Sequence, residues 1–84
     1  MHQRTRRLTL YEPATYQIRV QGMLDGAWSD RLGGMRIESL AAGNETATEL
    51  FGRLPDQAAL IGLLNCLYDL GLPLLSVERT AENS

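Results

Sequence analysis

The stretch Tyr16-Gln17-Ile18-Arg19-Val20-Gln21 alternates apolar and polar side chains without interruption. A period of two places the apolar side chains on one face of a β-strand and the polar ones on the other. A strand that is buried on one face only is typical of an antiparallel sheet that is covered on one side. This stretch therefore predicts an antiparallel sheet with one covered face.

Two further runs along the chain have strand character. Residues 35–40 begin with the same alternation, and residues 46–54 are rich in β-branched and aromatic side chains. Gly43-Asn44 between them is a two-residue turn signal, which predicts a β-hairpin. We expect residues 74–79 to form the last strand.

The apolar period changes after Leu54. Leucines then recur at intervals of three and four residues, which predicts an amphipathic helix over 56–70. Its start is marked either by Pro55 at the first helical position or by Asp56 as the N-cap. Gly71 is suited to a left-handed cap, and Pro73 prevents continuation. The leucines of this stripe are Leu60, Leu63, Leu64, Leu67 and Leu70.

The order β-β-β-α-β predicts an α+β fold, with a mostly antiparallel sheet of about four strands and one amphipathic helix on one face. The last strand should return beside an earlier one. With 84 residues there is room for one domain with a thin core. We expect that domain at 16–79, a lead-in over 1–15 with a candidate edge strand at 7–11, and a disordered tail over 80–84.

Composition narrows the functional classes. The chain is 44% hydrophobic and 21% charged, as in folded globular proteins. Cys66 is the single cysteine and His2 the single histidine, so we expect no disulfide, no metal site and a reducing, cytoplasmic location. We expect no cofactor, no secretion signal and no membrane segment. From residue 8 onward five arginines face ten carboxylates, which argues against a nucleic-acid surface.

The segment 25–34 has the most unusual composition, with a tryptophan, two aspartates, an arginine and three glycines. One interpretation is a binding loop in which an exposed Trp28 is the anchor, flanked by Asp30 and Arg31. The other is structural: Trp28 closes the end of the core, Asp30 caps a short helical turn, and Gly33-Gly34 provide positive φ angles.

The outer side of the predicted helix carries Ile61 and Tyr68, and the third strand exposes Phe51 on the face that does not hold Leu50. One interpretation is an apolar contact surface formed by Ile61, Tyr68 and Phe51. The other is that these residues widen the buried stripe of the helix.

No motif for catalysis is present. The serines have no histidine in the body of the chain to act as a base, and Cys66 lies in the middle of the predicted helix. Asp25 and Asp30 are the only local carboxylate pair near an aromatic side chain, which is a weak signal for acid–base chemistry. We therefore expect a protein that is not an enzyme.

Three blocks of sequence carry a resemblance to a known group of proteins: residues 25–34, Asp-Gln-Ala-Ala-Leu at 56–60, and Leu-Gly-Leu-Pro-Leu-Leu-Ser-Val at 70–77. In this order they resemble a family of short bacterial hypothetical proteins of unknown function. The resemblance supports the boundaries of the fold and implies no catalytic residue.

Two functional hypotheses follow. The first is a non-enzymatic protein-interaction or regulatory module that pairs with itself or with another protein, through a sheet face, a sheet edge or the side of the helix with Ile61 and Tyr68. The second is a small-ligand-binding domain, similar to ferredoxin-like or ACT-type modules, that holds its ligand between Trp28 and the end of the helix.

Overall fold

A computed structural model describes residues 10–80 of the chain. It contains one sheet, one α-helix and one short 3-10 helix, which confirms the predicted α+β class. The helix begins and ends one residue inside the predicted range of 56–70. The elements are β1 (Ala14–Gln21), the 3-10 helix (Gly26–Leu32), β2 (Arg36–Ala42), β3 (Glu45–Leu54), α1 (Gln57–Asp69) and β4 (Leu74–Thr80).

The hydrogen-bonded order of the strands is β2-β3-β1-β4, and every neighbouring pair is antiparallel. The connection through the 3-10 helix passes over β3, and the connection through α1 passes over β1. This interleaving is the split β-α-β arrangement of ferredoxin-like folds, with the 3-10 helix in the place of the first helix. The prediction that the last strand returns beside an earlier one is confirmed, since β4 pairs with β1.

The core lies on one face of the sheet. Alternate residues of β1 are buried, and Ile18 lies opposite Leu50 of β3, both with no exposed surface. From α1, Leu63 and Leu67 are buried, while the rest of the leucine stripe packs half-buried at the margin. The buried apolar side chains are Ala14, Tyr16, Ile18, Val20, Leu24, Leu32, Met35, Leu50, Leu54, Leu63 and Leu67.

The segment after β1 is a 3-10 helix and not an open loop. Asp25 is its N-cap and accepts a hydrogen bond from the Ala27 N–H at 3.0 Å, so the prediction that Asp30 caps this turn is wrong. A side-chain cap must precede the first turn, and Asp30 lies inside the helix. The helix ends at Gly33, whose φ of +74° is the left-handed conformation expected of a glycine there.

The hairpin turn and the start of the helix agree with the sequence predictions. Gly43, with φ of +64°, opens the two-residue turn between β2 and β3, which confirms the hairpin. Of the two predicted helix starts, the structure uses Asp56, whose Oδ1 accepts a hydrogen bond from the Ala59 N–H at 2.9 Å. Leu10 and Tyr11 form a turn, which contradicts a strand at those two positions. The rest of the candidate strand at 7–11, and residues 81–84 of the predicted tail, lie outside the described residues.

Candidate functional site

β4 is an edge strand of the sheet, since its neighbour on one side is β1 and no strand within residues 10–80 pairs with its other side. A bulge at its start leaves Leu74 and Leu75 opposite the single residue Val20 of β1. Leu74 is 52% exposed and Leu75 is 55% exposed. At this edge, exposed large apolar side chains therefore lie beside backbone N–H and C=O groups that no strand within residues 10–80 pairs with.

A groove runs between the C-terminal half of α1 and the start of β4. It has a volume of about 290 Å³ and is mostly apolar. Tyr68 stands at its side with 81% of its surface exposed. The segment on the strand side is held in place because the Gln21 N–H donates to the Pro73 carbonyl at 2.8 Å. The groove is lined by Leu64, Asn65, Leu67, Tyr68, Leu72, Pro73 and Leu74.

The face of the sheet opposite α1 is polar, and its charges on β1, β2 and the middle of β3 form ion pairs. Arg19 of β1 forms a salt bridge with Glu49 of β3 at 3.1 Å, and Gln17 donates a hydrogen bond to the same carboxylate. At the β2 edge, Arg36 pairs with Glu38 at 3.6 Å and lies 5.7 Å from the centre of the Phe51 ring. Arg19, Glu49, Arg36 and Glu38 thus each have a charged partner on this face.

Trp28 lies in the 3-10 helix, half-buried against the core. The Arg31 guanidinium is 5.3 Å from the centre of its ring, within the range of a cation–π contact. Ala27, Trp28 and Arg31 line an open depression of about 300 Å³, while Asp30 is exposed. The described residues that line this depression include none from α1. Trp28 therefore packs against the core while part of its surface stays exposed.

The predicted apolar surface of Ile61, Tyr68 and Phe51 is not one surface. Ile61 is 56% exposed and lies near the start of α1, where it borders a second depression with Leu10. Tyr68 is two helical turns further along and borders the groove beside β4. Phe51 lies on the opposite face of the sheet, because adjacent strand residues alternate.

The sequence does not predict that Leu74 and Leu75 are exposed, nor that a groove lies beside them. The run Leu72-Pro73-Leu74-Leu75 has the composition of a strand entering a buried sheet, so it indicates a core position. What exposes these side chains is the edge placement of β4 and the bulge, and neither can be seen in the sequence. Three leucines around a proline are the one signal present.

Within residues 10–80, no group of three or more histidine, cysteine or acidic side chains converges on a common point. In the same part of the chain, α1 is too short to cross a bilayer, and no helix there has the length and hydropathy to do so.

The comparisons with known proteins bear on the family. A family model described as a domain of unknown function, DUF8691, matches residues 15–78, which span the sheet, both helices and most of β4. No curated protein and no solved structure matches the chain significantly. The match covers more than half of the sequence, and the chain therefore belongs to the DUF8691 family, a domain of unknown function.

Proposed function

We propose that this protein is a non-enzymatic protein-interaction module that binds a partner polypeptide through its β4 surface. The β4 surface consists of the outer edge of β4, Tyr68, Leu74, Leu75 and the groove beside them. The observation that carries the proposal is that three large apolar side chains, each more than half exposed, lie beside a strand edge that no strand within residues 10–80 pairs with. Exposed apolar groups that cluster in this way are typical of interaction sites.

The geometry suits addition of a strand. An extended partner segment that lies along β4 receives hydrogen bonds from the backbone and donates others to it. Its alternate side chains point toward the α1 side of the sheet, where the groove offers apolar walls from Leu64, Tyr68 and Leu72. Backbone hydrogen bonds then supply affinity, and the groove supplies selectivity for apolar side chains.

The open sheet face and the outer surface of α1 are less suited to binding a partner strand than the β4 surface. On the open sheet face Glu49 is held by Arg19 and Gln17, so a dry contact there must break a pair that already exists. Within residues 10–80, no strand lines the depression beside Ile61. In the same part of the chain, Tyr68, Leu74 and Leu75 lie beside the outer edge of β4.

Photo-crosslinking tests this proposal. p-Benzoylphenylalanine is placed at Tyr68 or Leu75 in the full chain, expressed in the reducing cytoplasm that the single Cys66 predicts. Tyr11 is the matched control, since it is 82% exposed against 81% for Tyr68 and borders the depression at the start of α1, not the groove beside β4. We expect crosslinked species from positions 68 and 75 and none from position 11. Equal crosslinking at all three positions, or none at 68 and 75, contradicts the proposal.

A second candidate function is binding of a small ligand at Trp28, as in ferredoxin-like or ACT-type regulatory domains. The depression of about 300 Å³ beside the stacked Trp28 and Arg31 favours it, since that volume reaches the lower end of the range for ligand sites. Trp28 is the only tryptophan, so its fluorescence across a panel of metabolites reports this place alone. A response that Arg31→Ala abolishes supports ligand binding, and a fluorescence that no compound changes contradicts it.

A further inference from the structure

We propose that the partner at the β4 surface is a second copy of this chain, with the two β4 strands paired antiparallel about a two-fold axis at Val77. This inference rests on the proposed function and names its partner. The axis stands perpendicular to the sheet, so the two sheets join into one and both α1 helices lie on the same face.

The register follows from the strand itself. β4 has seven residues, Leu74–Thr80, and Val77 is its centre. Pairing about Val77 aligns residues 75–79 with the same residues of the copy, while Leu74 lies at the bulge, where the alternation of faces is interrupted. Ser76 of each copy then lies opposite Glu78 of the other. The two-fold axis gives two such pairs, and in each a hydroxyl donor faces a carboxylate acceptor. Val77 meets Val77 at the axis, and Leu75 meets the apolar stem of the second copy's Arg79.

Neighbouring registers are less favourable. Antiparallel partners must share a face, so the register moves in steps that shift the axis by one residue. An axis at Glu78 sets two carboxylates directly opposite each other, which destabilises a strand pair. An axis at Ser76 shifts the pairing into the bulge at Leu74 and on to Pro73, which has no N–H to donate.

Charge complementarity gives the second argument. Glu78 is exposed and takes part in no ion pair among residues 10–80. Arg19 lies opposite Ser76 on the open face, and the second copy's Glu78 lies on the other side of Ser76. The two strand spacings between them are about 4.8 Å each, which the Arg19 and Glu78 side chains together can span across a small serine. Each copy thereby receives a carboxylate beside a half-exposed arginine.

The other edge strand, β2, lacks this self-complementarity. An axis at Ile37 matches Arg36 with the second copy's Glu38, but it aligns only three strand residues, because β2 begins at Arg36. An axis at Ser39 aligns all of β2 but sets Glu38 opposite Leu40. At β4, the register that aligns most of the strand also gives complementary polar pairs. At β2, the register that aligns the whole strand and the register that pairs opposite charges are different.

The first test compares two charge reversals at equivalent places. Glu78→Lys and Glu38→Lys each reverse an exposed glutamate on the open face of an edge strand, at β4 and β2 respectively. We expect light scattering of the full chain to show a dimer whose Kd rises about tenfold or more with Glu78→Lys and is unchanged with Glu38→Lys. Circular dichroism confirms that both variants fold. A monomer up to about 1 mM, or an equal effect of the two reversals, overturns the inference.

The second test fixes the register. In a Cys66→Ser background, Ser76→Cys and Glu78→Cys chains are mixed and oxidised. We expect a mixed disulfide dimer in preference to either homodimer, because only unlike positions lie opposite each other. A preference for the Glu78→Cys homodimer, or no disulfide in the mixture, overturns the inference.

Mass spectrometry of the photo-crosslinked species separates the two proposals. A crosslink from positions 68 and 75 to the same chain supports both. A crosslink from these positions to a different protein overturns the second copy and leaves the interaction module standing. No crosslink from either position overturns both.

Discussion

Thr48 is the fully buried polar side chain among the described residues, and its hydroxyl joins β3 to the segment that follows β1. Its Oγ1 donates to the Gly22 carbonyl at 2.7 Å and accepts from the Leu24 N–H at 3.1 Å. We expect Thr48→Val to destabilise the fold by about 1–3 kcal/mol, because both backbone groups lose their partner without access to water. Urea denaturation of the variant measures the change.

Two companion variants separate the hydroxyl from other effects. Thr48→Ser keeps the oxygen and should recover part of the stability. Thr46→Val makes the same chemical change at an exposed position of the same strand, and we expect its effect to be within about 0.5 kcal/mol. A loss at Thr46 equal to that at Thr48 would show that strand propensity, and not the buried hydroxyl, is responsible.

At the scale of the element, α1 depends on its first cap. The Asp56 carboxylate accepts the Ala59 N–H and lies at the positive end of the helix dipole. We expect Asp56→Ala to cost about 0.5–2 kcal/mol in the free energy of unfolding. Asp69→Ala makes the same change at the negative end of α1, where removal of a carboxylate is neutral or stabilising. Thermal denaturation of both variants should therefore give shifts of different sign; two equal losses contradict this account.

The elements show how much a sequence reveals. The bounds of α1 and the hairpin at Gly43 follow from local periodicity and turn chemistry, and both agree with the structure. The 3-10 helix at 26–32 agrees with the structural interpretation of this segment as a short helical turn, but seven residues are too few for a period to define its bounds. Without a known start either aspartate fits as the cap; that interpretation places it at Asp30, whereas the structure uses Asp25.

The candidate site was harder to predict than the fold. Tyr68 can be recognised from its place on the helix, but Leu74 and Leu75 cannot, because exposure there depends on which strand lies at the edge. Strand order is decided by pairings between residues far apart in the chain, such as Ile18 with Val77, and local patterns carry no information about them. Local sequence patterns therefore predict the helices and strands, whereas the order of strands in the sheet determines which side chains are exposed.

At the scale of the whole molecule, a thin core and a self-complementary edge make folding and assembly interdependent. If two copies pair at β4, mass action stabilises the folded chain, so its Tm should rise with protein concentration. We expect about 3–5 °C for each tenfold increase above the Kd of the dimer. Differential scanning calorimetry at several concentrations measures this. The Glu78→Lys variant should show this rise only at concentrations about tenfold higher or more, and a flat dependence for the unaltered chain argues against the dimer.

The central position of β1 has a consequence for the order in which the chain acquires its structure. β1 is synthesised first, yet its two neighbours are β3 and β4, the latter about sixty residues away along the chain. While the protein emerges from the ribosome, β2 and β3 can close their hairpin locally, but one side of β1 stays open until the last strand arrives. The nascent chain thus exposes a strand edge at Ile18 and Val20 until β4 pairs with β1, and the edge of the described sheet then lies at β4.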